Sequence, residues 1–280
     1  MSVNDVPVLP DEKVTHHSSI ELEQMVADHR KLDPVDLENE TYHARKLFCM
    51  DWQESISRLK LISKLGSRNA MYEAASALLT DARNLDQKEG MRMLRYAANE
   101  LDHTGAQFDL ALILEKEKSG DHIEMLKRAA NNNHPTAQLR LGCSYFHGIG
   151  VQPCFSEAAK WLRLCSRHTN SSQLLYARAL DELGQHEESL GALLEAATRQ
   201  SPKAELKLFF KRFWGIGCER DMDYACTWLV RCSKGKTNNE PCAALAKHII
   251  EICQPALSES SPVPRLLTEK QLQDQLNLFA

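Results

Sequence analysis

The chain has 280 residues, more than most single hydrophobic cores, and a formal net charge of −4. That balance leaves no basic stripe for phosphate neutralisation, so direct nucleic-acid binding is disfavoured. The longest apolar runs fall far short of the ~20 residues that span a bilayer, which excludes a membrane-spanning helix.

In chain order, residues 1–19 are polar, with Asp5, Asp11 and Glu12, and lack the charged start and apolar middle of a secretory leader. The expected compartment is therefore the cytoplasm. Ile20 to Leu32 and Val35 to Cys49 read as helices. Ser18 and Glu21 form a capping-box pattern, and Asp33-Pro34 separates the two helices. Residues 1–53 are read as a leader with capping helices.

Residues 54–254 carry an internal repeat. The small residues Ala70, Ala106, Ala137, Ser172 and Ala204 recur in steps of 36, 31, 35 and 32. A second set, Ala97-Ala98, Ala129-Ala130, Cys165-Ser166, Ala196-Ala197 and Cys232-Ser233, recurs in steps of 32, 36, 31 and 36. Two independent anchors with one beat indicate stacked helical hairpins, in which each unit buries its apolar face on the next. The longer units contain Gly148-Ile149-Gly150 or Gly215-Ile216-Gly217, whose glycines suit a positive φ where the chain leaves one helix. Pro135, Pro202 and Pro241 mark helix starts. Apolar residues recur at three- and four-residue spacing, and no run alternates like a strand.

The stretch Ala137-Gln138-Leu139-Arg140-Leu141-Gly142-Cys143-Ser144-Tyr145-Phe146-His147-Gly148-Ile149-Gly150-Val151, followed by Ala158-Ala159-Lys160-Trp161-Leu162, resembles the SEL-one-like repeat, a relative of the tetratricopeptide repeat. Residues 204–233 follow the pattern with Phe209 in place of Gly142 and Cys218 in place of Val151. Residues 70–98, 106–130 and 172–197 are eroded copies. The resemblance implies an all-α, right-handed α-solenoid of antiparallel helix pairs that scaffolds protein complexes on its concave face. It implies no reaction and no cofactor.

The chemistry-bearing residues agree with a non-enzyme. No phosphate loop, Gly-x-Ser-x-Gly elbow, His-Glu-x-x-His or kinase signature is present. Nine cysteines are spread over helix positions and read first as small buried apolar side chains. Cys232 and Cys242 flank one turn, but an odd count without a secretory leader argues against disulfides. Cys143 and His147 form an i, i+4 pair that suits zinc, with Cys154, Cys165 or His168 as poorly spaced further ligands, so no metal is expected. Trp161, Trp214 and Trp228 are candidates for lining a groove; Trp161 and Trp228 recur at equivalent positions, which reads first as inter-helix packing and second as ligand stacking.

Residues 255–267 are a linker by their proline and serine content. In residues 268–280, Gln275, Leu276, Leu278 and Phe279 match the Gln-Leu-x-Leu-Phe peptide with which bacterial replication and repair proteins bind the sliding clamp. The resemblance implies an adaptor tethered to that ring. The competing reading is a terminal amphipathic helix, with Leu272, Leu276 and Phe279 on one face and Thr268 and Gln271 as its capping box. A regulatory subunit or secretion-associated effector is the third functional class. The partners expected throughout are other proteins.

Overall fold

Each repeat folds as a pair of helices joined by a short turn. The computed structural model describes residues 17–80, 86–167, 169–234 and 241–257, with side chains to residue 250 in the last helix. The helices are α1 (Ser19–Ala27), α2 (Pro34–Lys46), α3 (Trp52–Lys64), α4 (Arg68–Thr80), α5 (Gln87–Asn99), α6 (Thr104–Lys116), α7 (His122–Asn131), α8 (Pro135–His147), α9 (Phe155–Cys165), α10 (Asn170–Glu182), α11 (His186–Thr198), α12 (Pro202–Trp214), α13 (Met222–Ser233) and α14 (Pro241–Leu257). Leu47–Cys49 adds a 3-10 turn. No strand occurs among the described residues. The fold is an α-solenoid of antiparallel helix pairs.

The chain divides into two compact units, residues 1–134 and 135–280. In the first, α1 starts at the capping box of Ser18 and Glu21. It ends at Ala27, short of the expected Leu32. His29 turns left-handed at φ 53°, and the amides of His29 and Arg30 close back on the carbonyls of Val26 and Met25. Under these helices Glu40 is buried, with its carboxylate 2.8 Å from His17 Nδ1 and 3.4 Å from an Arg58 Nη2. Leu22, Leu59, Ile62, Leu78, Leu94 and Leu110 form the core beside the alanines of α4 and α5.

The second unit builds its core from Phe146, Leu162, Leu180, Leu193, Leu206 and Phe209. Small anchors recur where helices cross. Ala70, Ala106, Ala137, Ser172 and Ala204 are all buried, as are Ala97, Ala98, Ala129, Ala130, Cys165, Ala196, Ala197 and Cys232. Ser172, where the other first helices carry alanine, donates its hydroxyl to the Cys165 carbonyl at 3.0 Å, so burial leaves it satisfied.

Two devices recur through the repeats. Five helices besides α1 end in the same double closure around a left-handed residue. That residue is Gly66, Lys118, Asn133, Gly184 or Gln200, after α3, α6, α7, α10 and α11 respectively. In each, the amide of the left-handed residue and the next amide reach back to two of the helix's last carbonyls, satisfying groups that would otherwise be orphaned. Second, an arginine of one repeat donates to a carbonyl at the end of the preceding second helix. Arg128 reaches Ala98 at 2.9 Å, Arg199 reaches Ser166 at 3.2 Å and Arg231 reaches Ala197 at 3.1 Å. A cation at that end also suits the helix dipole.

Candidate functional site

In a stack of hairpins each repeat contacts only its neighbours, so the side chains left outside that packing are the ones that can meet other molecules. The Gly-Ile-Gly turns set where those helices stop. Gly148 and Gly150 take φ of 73° and 71°; Gly215 and Gly217 take 71° and 66°. The two turns match bond for bond. Ile149 N–H donates to the Ser144 carbonyl as Ile216 N–H does to Lys211, and Cys154 N–H donates to Tyr145 as Asp221 N–H does to Arg212. Gly217 also lies so close on His186 that an added Cβ would sit 2.3 Å from its Cγ.

In the second unit, Lys203, Lys207, Lys211 and Trp214 share one side of α12 by their four- and three-residue spacing. Asp181 of α10 is 2.5 Å from Lys211 Nζ, and His186 Nδ1 stands 3.4 Å from the same oxygen. Arg178 of α10 lies over the Phe146 ring at 5.1 Å, and Trp214 stacks on Phe210 with ring centres 5.0 Å apart. Lys207 is half-buried. Burial, followed by the charge of Arg178, holds its ammonium below the ordinary lysine value, with Lys203 and Lys211 adding to this and Asp181 opposing it.

The corresponding side of the first unit is aromatic and only lightly charged. Tyr72 of α4 donates to Asp109 of α6 at 2.8 Å, and burial together with that bond raises its phenol above the ordinary range. His103 stacks on Tyr72 at 4.5 Å while its Nδ1 accepts from the Ala106 amide, so it caps α6 and faces α4 at once. His134 stacks on Phe108 at 4.5 Å. Burial lowers both imidazoles below the ordinary histidine value; Arg68 adds to this at His103, and Asp109 opposes it at both. Both rings are thereby biased towards the neutral form and stack flat on their aromatic partners.

The other residues singled out by sequence are placed as follows. Trp161 and Trp228 are buried in α9 and α13, and neither indole N–H has a hydrogen-bond partner. Trp214 is half-buried. Cys165, Cys232 and Cys242 are buried; burial pushes the Cys165 thiol up to about 11. Cys154 is the N-cap of α9, where the Ser156 hydroxyl at 3.2 Å, followed by the nearby helix amides, lowers its thiol. Cys143 and His147 lie on α8, and among the described residues no three His, Cys, Asp or Glu side chains converge to hold a metal. No described helix is long and apolar enough to cross a membrane. Gln275, Leu276, Leu278 and Phe279, together with the 255–267 linker apart from residues 255–257 of α14, lie outside the described residues.

Sequence reading missed the paired faces of α10 with α12 and of α4 with α6. The four-residue lysine spacing of α12 was visible, but its partners come from another repeat.

No known family profile matches the sequence, and no curated protein does either. Solved structures do match. The chain is similar to a Sel1 repeat protein from Oxalobacter formigenes, at 15% identity and a TM-score of 0.52, over 86% of this chain and 100% of that one. It is also similar to a protective antigen of uropathogenic Escherichia coli with an SLR fold, at 19% identity and a TM-score of 0.56, over 93% of this chain and 54% of that one. The class defined by fold is thus the Sel1-like repeat solenoid.

Proposed function

We propose that this chain is a non-catalytic scaffold that holds other proteins on the concave, first-helix side of its repeats, in the cytoplasm of a bacterium. The observation that carries the reading is the ordered surface of the first helices. Besides the residues they bury, α4, α6, α10 and α12 present aromatic and charged groups fixed by stacking and ion pairing. Ordered side chains cost little further entropy on binding, which suits recognition by a rigid surface. The bacterial source of both structural relatives supports the assignment of origin. Photo-crosslinkers placed at Asn69 and at Lys203 test it. Partner proteins should be trapped from these positions and not from the exposed second-helix residue Arg92. Equal trapping from Arg92 would refute the surface assignment.

A second reading rests on the tail. Gln275, Leu276, Leu278 and Phe279 fill every specified position of the clamp-binding peptide. We propose that they tether the scaffold to a bacterial sliding clamp, with the apolar side chains as anchors and the glutamine amide orienting them. A synthetic peptide of residues 265–280 should bind such a clamp in the micromolar range, about −8 kcal/mol. Leu278→Ala with Phe279→Ala should abolish that binding and leave the Tm of the whole chain unchanged. A clear fall in Tm without clamp binding would instead show a helix docked on the repeats.

A further inference from the structure

The α10–α12 face of the second unit gathers cations against the overall sign of the chain. Around Lys207 the charges of Arg178, Lys203 and Lys211 are opposed by Asp181, in a protein of net charge −4. That carboxylate is already engaged by Lys211, whose side chain is 9% exposed. Lys207 is half-buried within reach of the charges of Arg178, Lys203 and Lys211. Like charges held together in a partly desolvated place destabilise the free protein, and an incoming anion relieves that repulsion.

We propose that this face is a docking site for an extended, carboxylate-rich segment of a partner protein, lying along α12 across Lys203, Lys207 and Arg178. The proposal rests on the scaffold reading and names the chemistry of one partner. Spacing supports a peptide. Residues four apart on a helix are separated by ~6 Å along the axis. Alternate side chains of an extended chain repeat every ~6.6 Å. Acidic residues at every second position therefore meet successive lysines. Trp214, one further turn along the same side and stacked on Phe210, ends the track with an apolar edge. Duplex nucleic acid fits less well, because its binding proteins typically neutralise on the order of 6–10 phosphates and this face offers three cations beside the engaged Lys211.

The test is fluorescence anisotropy on the full chain with a fluorescein-labelled peptide of five Ser-Glu repeats, at about 50 mM salt. The expected result is saturable binding that weakens as salt rises and is absent for five Ser-Lys repeats. Lys203→Ala with Lys207→Met, which keeps an aliphatic stem at 207, should weaken it roughly tenfold or more. Lys88→Ala in the first unit should not change it. Lys203→Glu alone, at an exposed position, gives the same sign should the double variant fold poorly. No binding by the unaltered chain overturns the proposal. So does undiminished binding by folded variants, or tighter binding of a labelled oligothymidine or of phosphatidylserine vesicles through the same lysines. A chain that ignores the peptide but still yields crosslinked partners from Asn69 or Lys203 refutes the acidic-segment assignment alone. A chain that does neither refutes the scaffold reading as well.

Discussion

The hairpins α8–α9 and α12–α13 run through the same turn but fill the space behind it differently. Their turn hydrogen bonds match one for one, and all four glycines are left-handed. Behind the first turn, Gly142 of α8 lets the helix press on α9: a Cβ there would stand 2.6 Å from Leu162 Cγ. At the equivalent place α12 carries Phe209, buried with only 3% exposure and packed against the rings of Phe210 and Phe213. The turn is held by backbone groups and keeps its geometry while side chains change. The packing layer is held by shared volume, which many combinations of side chains fill.

The largest break in this comparison comes from emptying the filled hairpin. Phe209→Ala should cost about 3–5 kcal/mol in urea unfolding, because a buried ring is lost and the core around it closes only partly. A cost below about 1 kcal/mol would mean that the rings of Phe210 and Phe213 take over the space. The converse experiment overfills the tight hairpin. Gly142→Ala gains helix propensity but drives a methyl into Leu162, which is itself fully buried and has little room to move. The net expectation is a loss of ~1–3 kcal/mol, where an ordinary mid-helix Gly→Ala change would stabilise. A stabilised variant would disprove the tight approach.

A third, smaller effect separates the long turn from the short link of α10–α11. Gly148 and Gly184 have the same φ of 73°, yet an added Cβ meets Pro153 Cγ at 2.8 Å in the first and nothing within 4 Å in the second. Gly184→Ala should therefore cost only the left-handed backbone penalty, on the order of 1 kcal/mol. Gly148→Ala should cost more than that, and Gly148→Val more again, because a β-branched residue resists positive φ. Equal costs at the two glycines would show that Pro153 yields freely.

Much of the fold was legible because it depends on local rules. Small residues at a fixed beat mark where helices cross, and proline at 135, 202 and 241 marks where they start. Other features obey rules that one residue does not betray. Lys118, Asn133 and Gln200 occupy left-handed caps for which glycine is the usual sign, so the closures after α6, α7 and α11 were silent. The arginine bonds of Arg128, Arg199 and Arg231 go to backbone carbonyls some thirty residues earlier, and a carbonyl has no sequence signature. The charged face was hidden for a related reason. Lys207 looks like any solvated helix lysine until α10 brings Arg178 and Asp181 beside it.

The smallest effect concerns the residue that opens the second helix after each long turn. Asp221 caps α13, accepting from the Tyr224 amide at 2.9 Å, whereas Cys154 at the matching place makes no side-chain cap to α9. Its thiol instead approaches Ser156 Oγ at 3.2 Å. Cys154→Asp should install the missing bond to the Glu157 amide and raise Tm by ~2–4 °C. The sign with pH follows from the acid introduced. A capping carboxylate has a depressed folded pKa, so the gain is complete above the unfolded value of about 3.9 and disappears as pH falls through the folded one. The substitution also removes the most reactive of the second unit's shifted thiols. At pH 8 in the unaltered chain, Cys154, with its thiol lowered, should be alkylated well before Cys165, held near 11. Peptide mapping after a short iodoacetamide pulse reads that order directly. Were Cys165 modified first, α9 would have to open faster than its half-buried cap reacts, and α8–α9 would be the weaker hairpin despite its closer packing.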